Sequence, residues 1–171
     1  MIETENLILR TPVATDFDSW AALDADEDAA RFIGGVRTRE AAWLGFAATI
    51  GMWSLRGCGL FSVVEKTNGG WIGRVGPWIP EGAPGTEVGW ALSSSEWGKG
   101  RATEAATAAV DWAFNHLGWA EVIHCIHAEN LASIAVARKL GAAFSRVGHD
   151  AAGETVQIYG QSREQWFSRI R

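Results

Sequence analysis

The chain of 171 residues is 47% hydrophobic and 20% charged, enough for one domain, 1–171, whose core folds without covalent staples. Its 20 acidic and 15 basic residues give a formal charge of -5, and no Lys/Arg run interrupts the pattern. That excludes the electrostatic footprint of a nucleic-acid or anionic-membrane binder and makes a cationic partner the easier fit. Cys58 and Cys125 are too few for a disulfide framework and are not spaced as a zinc site. The N-terminal stretch carries acids where a secretory leader would be cationic, and no segment accumulates the ~18 apolar residues of a membrane span. A cytoplasmic location is therefore expected.

In chain order, a strand is expected over 7–10, followed by helical pieces over 16–24 and 26–32. Thr38 has the form of an N-cap for a helix reaching residue 55, with Glu40 in the first turn and Ala42, Phe46, Ile50 and Trp53 at helical spacing. Residues 59–65 and 71–75 read as strands joined through Asn68-Gly69, a pair suited to a tight hairpin, and 86–92 as a further strand. From Arg101 the period changes. Ala102, Ala105, Ala106, Ala109, Ala113 and Leu117 share one helical face, opposite Thr103, Thr107, Asp111 and Asn115. A β-branched strand over 121–127 precedes a helix that Asn130 caps and that Gly141 ends after Leu140. A hairpin over 144–149 and 155–161 leads to Ser162-Arg163-Glu164-Gln165, a capping box for a short last helix. This mixture indicates an α/β or α+β sheet protein.

The segment Trp97-Gly98-Lys99-Gly100-Arg101-Ala102 joins a strand to the alanine-rich helix. Two glycines allow the backbone to approach an anion, and the helix directs its free amides and positive dipole end at the same place, as a phosphate site requires. The plainer reading is an ordinary strand-to-helix loop. A dinucleotide fingerprint would need glycine at Thr103, and a nucleotide P-loop would need Ser or Thr at Gly100.

This turn, its alanine-rich helix, the following strand, and then Asn130-Leu131-Ala132-Ser133 leading to Arg138-Lys139-Leu140-Gly141 together resemble the GNAT superfamily of N-acetyltransferases. Within it, the chain particularly resembles the branch of ribosomal-protein N-terminal acetyltransferases. The resemblance implies a twisted mixed, mostly antiparallel sheet of about six to seven strands flanked by helices, splayed between the fourth and fifth strands. It implies acetyl-CoA as cosubstrate and no metal. The pyrophosphate would lie on amides around Gly98, Lys99, Gly100, Arg101 and Ala102, and the pantetheine arm beside Ala91 and Leu92. Trp97 stands where the family usually has Gln or Arg. Asn130 matches a residue that bonds the pantetheine arm, although a plain N-cap would explain it equally. Arg138 and Lys139 could meet the CoA 3'-phosphate or simply suit the helix C-terminus.

Acetyl transfer to an amine needs a neutral nucleophile, a polarised carbonyl and a destination for charge on the departing sulfur. Glu87 is the first candidate base, because Gly89 and Ala91 on the same strand face leave room for a ligand. His127, at the end of the opposite strand, could relay a proton. Glu104 is a weaker candidate, since the helix dipole already accounts for an acid there. His124 and His127, three apart on a strand, point to opposite faces and do not form a metal pair. Ala137 occupies the position at which many family members carry a tyrosine acid, and Ser133 is the candidate substitute. Trp53, Trp71, Trp78 and Trp90 could line an acceptor pocket, Trp78 foremost. The expected acceptor is a primary amine, either a small molecule or a protein N-terminus, with a homodimer left open. The absent tyrosine makes a silent acyl-CoA-binding or sensing module the alternative.

Overall fold

A computed structural model describes residues 1–169. Its strands are β1 (Ile2–Glu3), β2 (Leu7–Arg10), β3 (Phe61–Glu65), β4 (Trp71–Pro77), β5 (Val88–Leu92), β6 (Glu121–Ile126), β7 (Ala143–His149) and β8 (Thr155–Ser162). Its helices are α1 (Phe17–Ala25), α2 (Glu27–Ala30), α3 (Arg39–Arg56), α4 (Arg101–His116), α5 (Leu131–Leu140) and α6 (Arg163–Ser168).

Helix ends fall where local chemistry places them. Thr38 Oγ1 accepts from the Ala41 amide at 3.3 Å, and Asn130 Oδ1 accepts from the Ser133 amide at 3.1 Å. Gly141 ends α5 at φ 89°, a left-handed conformation that glycine adopts without a Cβ clash. Ser162 and Gln165 form the expected capping box. The β3–β4 turn closes with Asn68 Oδ1 accepting from the Gly70 amide at 2.7 Å. β1 was not foreseen; two residues are too few to show an alternation.

The strands form two antiparallel sheets in the orders β1-β2-β3-β4-β5 and β6-β8-β7. Among the described residues the two are joined by one isolated parallel bridge, Glu87 to Ile123. Regular pairing of β5 starts at Val88, one residue past Glu87, so Glu87 sits at the point where β5 and β6 part. The Ile123 amide donates to the Thr86 carbonyl at 3.0 Å, and Thr86 Oγ1 donates to the Glu121 carbonyl at 2.6 Å. Beyond this fork the strands diverge. The architecture is the expected mixed α/β fold, with the splay between the strands expected to separate.

The small face of α4, including Ala105, Ala106, Ala109 and Ala113, is fully buried with Val88, Leu92 and Phe61 in the main core. Such small side chains let the helix axis approach the sheet closely. On the other face, α1 is fixed by Arg10, whose guanidinium donates twice to Asp16 at 2.7 Å, and by Ser62 Oγ donating to Asp16 at 2.7 Å. Trp20 of α1 then packs edge-on against Phe46 of α3. The helices on this face and the splayed strands enclose the space in which the candidate site lies.

Candidate active site

A cavity of about 770 Å³ opens at the fork between β5 and β6. Glu87, Ala91, His127, Asn130 and Ser133 all line it, so the structure brings together residues from two separate stretches of chain. Trp78 and Trp90 line it too, joined by Trp20, whereas Trp53 and Trp71 are packed elsewhere.

Glu87 is 8% exposed. Burial pushes its carboxyl up to about 7, against the lesser opposing effect of hydrogen bonding from Cys125. The group therefore exchanges its proton near neutral pH. Its Oε1 lies 3.7 Å from the position a Cβ would take on Gly89, so the small floor residue does leave the space beside the carboxylate open. Burial, followed by the neighbouring Glu87 charge, drives the Cys125 thiol upward, so this cysteine is not activated as a thiolate nucleophile.

In the sequence His124 stands out only beside His127, as a metal pair that strand geometry excludes. It is instead 1% exposed at the fork, with Nδ1 2.7 Å from the Val88 carbonyl. A carbonyl only accepts, so Nδ1 carries the hydrogen and Nε2 is left as a lone-pair acceptor without a protein partner among the described residues. Burial lowers its pKa to about 4, and the ring is neutral at pH 7. Its ring packs against Trp90 at 5.0 Å. The Trp90 indole N–H donates to Ser133 Oγ at 3.3 Å, leaving the serine hydroxyl hydrogen free to donate in turn.

His127 is exposed and stacks on Phe32 at 5.3 Å, with its Nδ1 accepting from the Glu129 amide at 3.3 Å. Arg31 lies 4.0 Å from Glu129. The loop after α2 thus lies against the β6–α5 loop and roofs one side of the cavity. Tyr159 does not line it; the phenol donates to Gln157 at 3.0 Å, and the ring packs with Ala137.

The turn before α4 lies beyond the open end of the fork. Gly98 and Gly100 adopt φ of 76° and 78°. The first helical bond runs from the Glu104 amide to the Gly100 carbonyl at 3.0 Å, ahead of which the amides of Arg101, Ala102 and Thr103 have no helical acceptor. Space around both glycines is open, which suits a pyrophosphate approaching the backbone. The side chains of the turn are otherwise engaged. Trp97 N–H donates to the Leu92 carbonyl at 3.0 Å, and Lys99 pairs with Glu96 at 3.2 Å. Arg101 pairs with Glu65 at 2.8 Å and Glu104 at 3.4 Å. Glu104 itself accepts from Thr4 Oγ1 at 2.6 Å and from the Asn6 amide at 2.8 Å, clasping the N-terminal strands to α4. Leu92 contributes its side chain to the core. Arg138 and Lys139 occupy the exposed last turn of α5, away from the cavity lining.

Such a forked sheet, with an amide-rich helix start at its open end and a buried acid at its closed end, defines an acyltransferase-type fold. The chain belongs to the GNAT acetyltransferase family: residues 6–143 match the model described as the acetyltransferase (GNAT) domain. An acetyltransferase from Agrobacterium tumefaciens str. C58 superposes with a TM-score of 0.86 at 27% identity, covering 95% of this chain and 94% of that one. A GNAT-family acetyltransferase structure from Bordetella pertussis gives 0.79 at 26% identity, covering 94% and 98%. A ribosomal L7/L12 α-N-protein acetyltransferase in complex with coenzyme A shares the fold, with a TM-score of 0.76 at 16% identity over 93% and 95%. In sequence, the chain is 34% identical over 92 residues to YkkB, an uncharacterised protein of Bacillus subtilis (strain 168). That match takes in 53% of this chain and 54% of YkkB, so it spans about half the length of that relative.

Proposed function

We propose that the protein is a cytoplasmic, acetyl-CoA-dependent N-acetyltransferase that passes the acetyl group directly to a primary amine within a ternary complex. The observation that carries this reading is Glu87: a carboxyl poised at about 7, buried in a ligand-sized cavity at the fork of a GNAT fold. Acetyl-CoA supplies the acyl group as a thioester already activated for attack. The open turn at Gly98 and Gly100 suits the diphosphate, with the amides of Lys99, Arg101 and Ala102 as donors. The unpaired edge of β5 at Ala91 and Leu92, together with Asn130, suits the pantetheine amides, and Arg138 and Lys139 suit the 3'-phosphate. Trp97 contributes by holding the turn to β5.

At pH 7 an α-amine costs about 1 kcal/mol to deprotonate and a lysine about 4.6 kcal/mol, so a base must take the proton for the transfer to run. Glu87 first takes the ammonium proton and passes it to solvent, and the neutral amine then attacks; as the N–C bond forms and the C–S bond breaks, the nitrogen gives its second proton to Glu87. Ser133 Oγ–H, oriented by the Trp90 indole, donates to the departing sulfur, in place of the tyrosine that Ala137 excludes. Glu87 returns its proton to solvent, which protonates the released thiolate. His127, exposed at the rim, serves as the route by which that proton leaves the cavity. The likeness to a ribosomal-protein acetyltransferase is one of fold, and the chain's kinship to that branch is proposed on the motifs around Trp97 and Asn130.

Calorimetry with acetyl-CoA, paired with thiol release across a panel of amines, tests the reading. Binding together with amine-dependent thiol release is expected. Binding without turnover by any amine would instead indicate the silent acyl-CoA module.

A further inference from the structure

The formal charge of -5 makes a cationic partner the easier fit, and the cavity carries both signs on its lining. Glu87, Asp150 and Glu154 line it, and the Asp150 charge acts on Glu87. Arg74 and Arg37 line it too, and the Arg37 charge acts on Arg74. Arg74 is 7% exposed, lies over the Trp20 ring at 4.3 Å, and donates through Nη2 to Asp24 at 2.7 Å. Its second terminal nitrogen, Nη1, is buried without a partner. Arg37 donates to the Ile33 carbonyl at 3.1 Å and makes no ion pair among the described residues. Asp24, which pairs with Arg74 through Oδ1, leaves its own Oδ2 buried without a partner among the described residues. A buried donor left without a partner is unfavourable, and an arginine fork matches a planar carboxylate in shape and charge.

We propose that the acceptor is a small aminocarboxylate, its amine at Glu87 and its carboxylate received by Arg74 Nη1 and Arg37. This rests on the proposed amine acetylation and names its substrate class. Arg74 stands opposite Ala91 in the β4–β5 register, and Glu87 lies four residues back along the chain from Ala91. The two levels are thus ~13 Å apart along the strand, so the charges of the acceptor are separated by several bonds and are not adjacent as in an α-amino acid. The Phe32–His127 stack and the Arg31–Glu129 pair roof the cavity, which favours a small molecule over a folded protein's N-terminus.

Thiol release from acetyl-CoA is compared for ε-aminocaproate and 8-aminooctanoate, for their carboxamides, for glycine, and for the diamine cadaverine. The carboxylates are expected to exceed their carboxamides in kcat/KM by about tenfold or more, with glycine and cadaverine poor. In Arg37→Gln and Arg74→Gln that ratio falls towards unity through KM. Should Arg74→Gln misfold because Asp24 loses its partner, Arg37→Gln and the double variant Arg74→Gln/Asp24→Asn carry the comparison. Carboxamides or cadaverine used as well as the carboxylates, or a preference that survives in these variants, would overturn the inference while leaving amine acetylation standing. Thiol release with none of the amines, despite bound acetyl-CoA, would remove the functional reading and this inference with it.

Discussion

Replacing Glu87 with Gln should stabilise the protein increasingly as pH rises. In the folded state burial holds the carboxyl at about 7, against 4.5 as an unperturbed group. Between those values the native protein keeps a proton that the unfolded chain has released, so its stability declines as pH climbs, with the loss complete above about 7. At about 1.4 kcal/mol per pKa unit, the interval corresponds to about 3 kcal/mol. Gln is nearly isosteric with the protonated acid and has no proton to lose. Urea and thermal unfolding of both proteins from pH 5 to 9 would read the difference. The variant's advantage should be small at pH 5 and approach 3 kcal/mol by pH 8, or about 6–12 °C in Tm for a chain of this length. His124, neutral in both proteins, cancels from the comparison. An advantage independent of pH, or one that shrinks as pH rises, would show that Glu87 ionises as an ordinary carboxylate and would refute the assignment of a buried, poised base.

The same variant should lose about a hundredfold in turnover at neutral pH and recover part of it at alkaline pH, where free amine accumulates, whereas Ser133→Ala should slow single turnovers by about tenfold at every pH. His124 works in the opposite sense to Glu87: its folded pKa of about 4 lies below 6.5, so its contribution is present above 6.5 and lost as pH falls towards 4, and His124→Gln should flatten the acid limb of the wild-type stability profile. Acetyl-CoA at about a hundred times its Kd should stabilise the fold by about 2.7 kcal/mol in calorimetric or fluorescence melts. Glu104→Ala, which releases Thr4, Asn6 and Arg101, should cost about 1–3 kcal/mol in urea titrations. Gly89→Val should fold, because its backbone is not left-handed and a Cβ meets only Glu87 Oε1, and should raise the acceptor KM by filling the cavity floor.

Much of this was legible locally. The caps at Thr38, Asn130, Gly141 and Ser162 depend on neighbours within a few residues, and strand parity alone placed Glu87, Gly89 and Ala91 on one face. What escaped the sequence depends on contacts between distant stretches. Nothing near Arg74 in the chain announces Asp24, fifty residues away on α1, nor that one guanidinium nitrogen would be left without a partner. The resemblance assigns the amides of the turn, that of Arg101 among them, to the pyrophosphate, but nothing near Arg101 in the chain announces that Glu65 on β3 engages its side chain. The period-two pattern of β6 gave His124 a face but not its neighbour, and only the fork beside Val88 turns a strand histidine into a buried neutral acceptor. Net charge is silent on the cavity for a similar reason, since a sum over the chain carries no information about which signs meet inside it.

Direct transfer assisted by Glu87 is the central claim, and rapid-quench single turnovers with acetyl-labelled CoA test it most directly. Without acceptor, the protein should carry no covalent label. With an amine acceptor the label should appear on the amine nitrogen at a rate that rises with an apparent pKa near 7, and that inflection should vanish in Glu87→Gln. Label trapped on the protein, at Cys125 or elsewhere, or an inflection unchanged in the variant, would contradict the account.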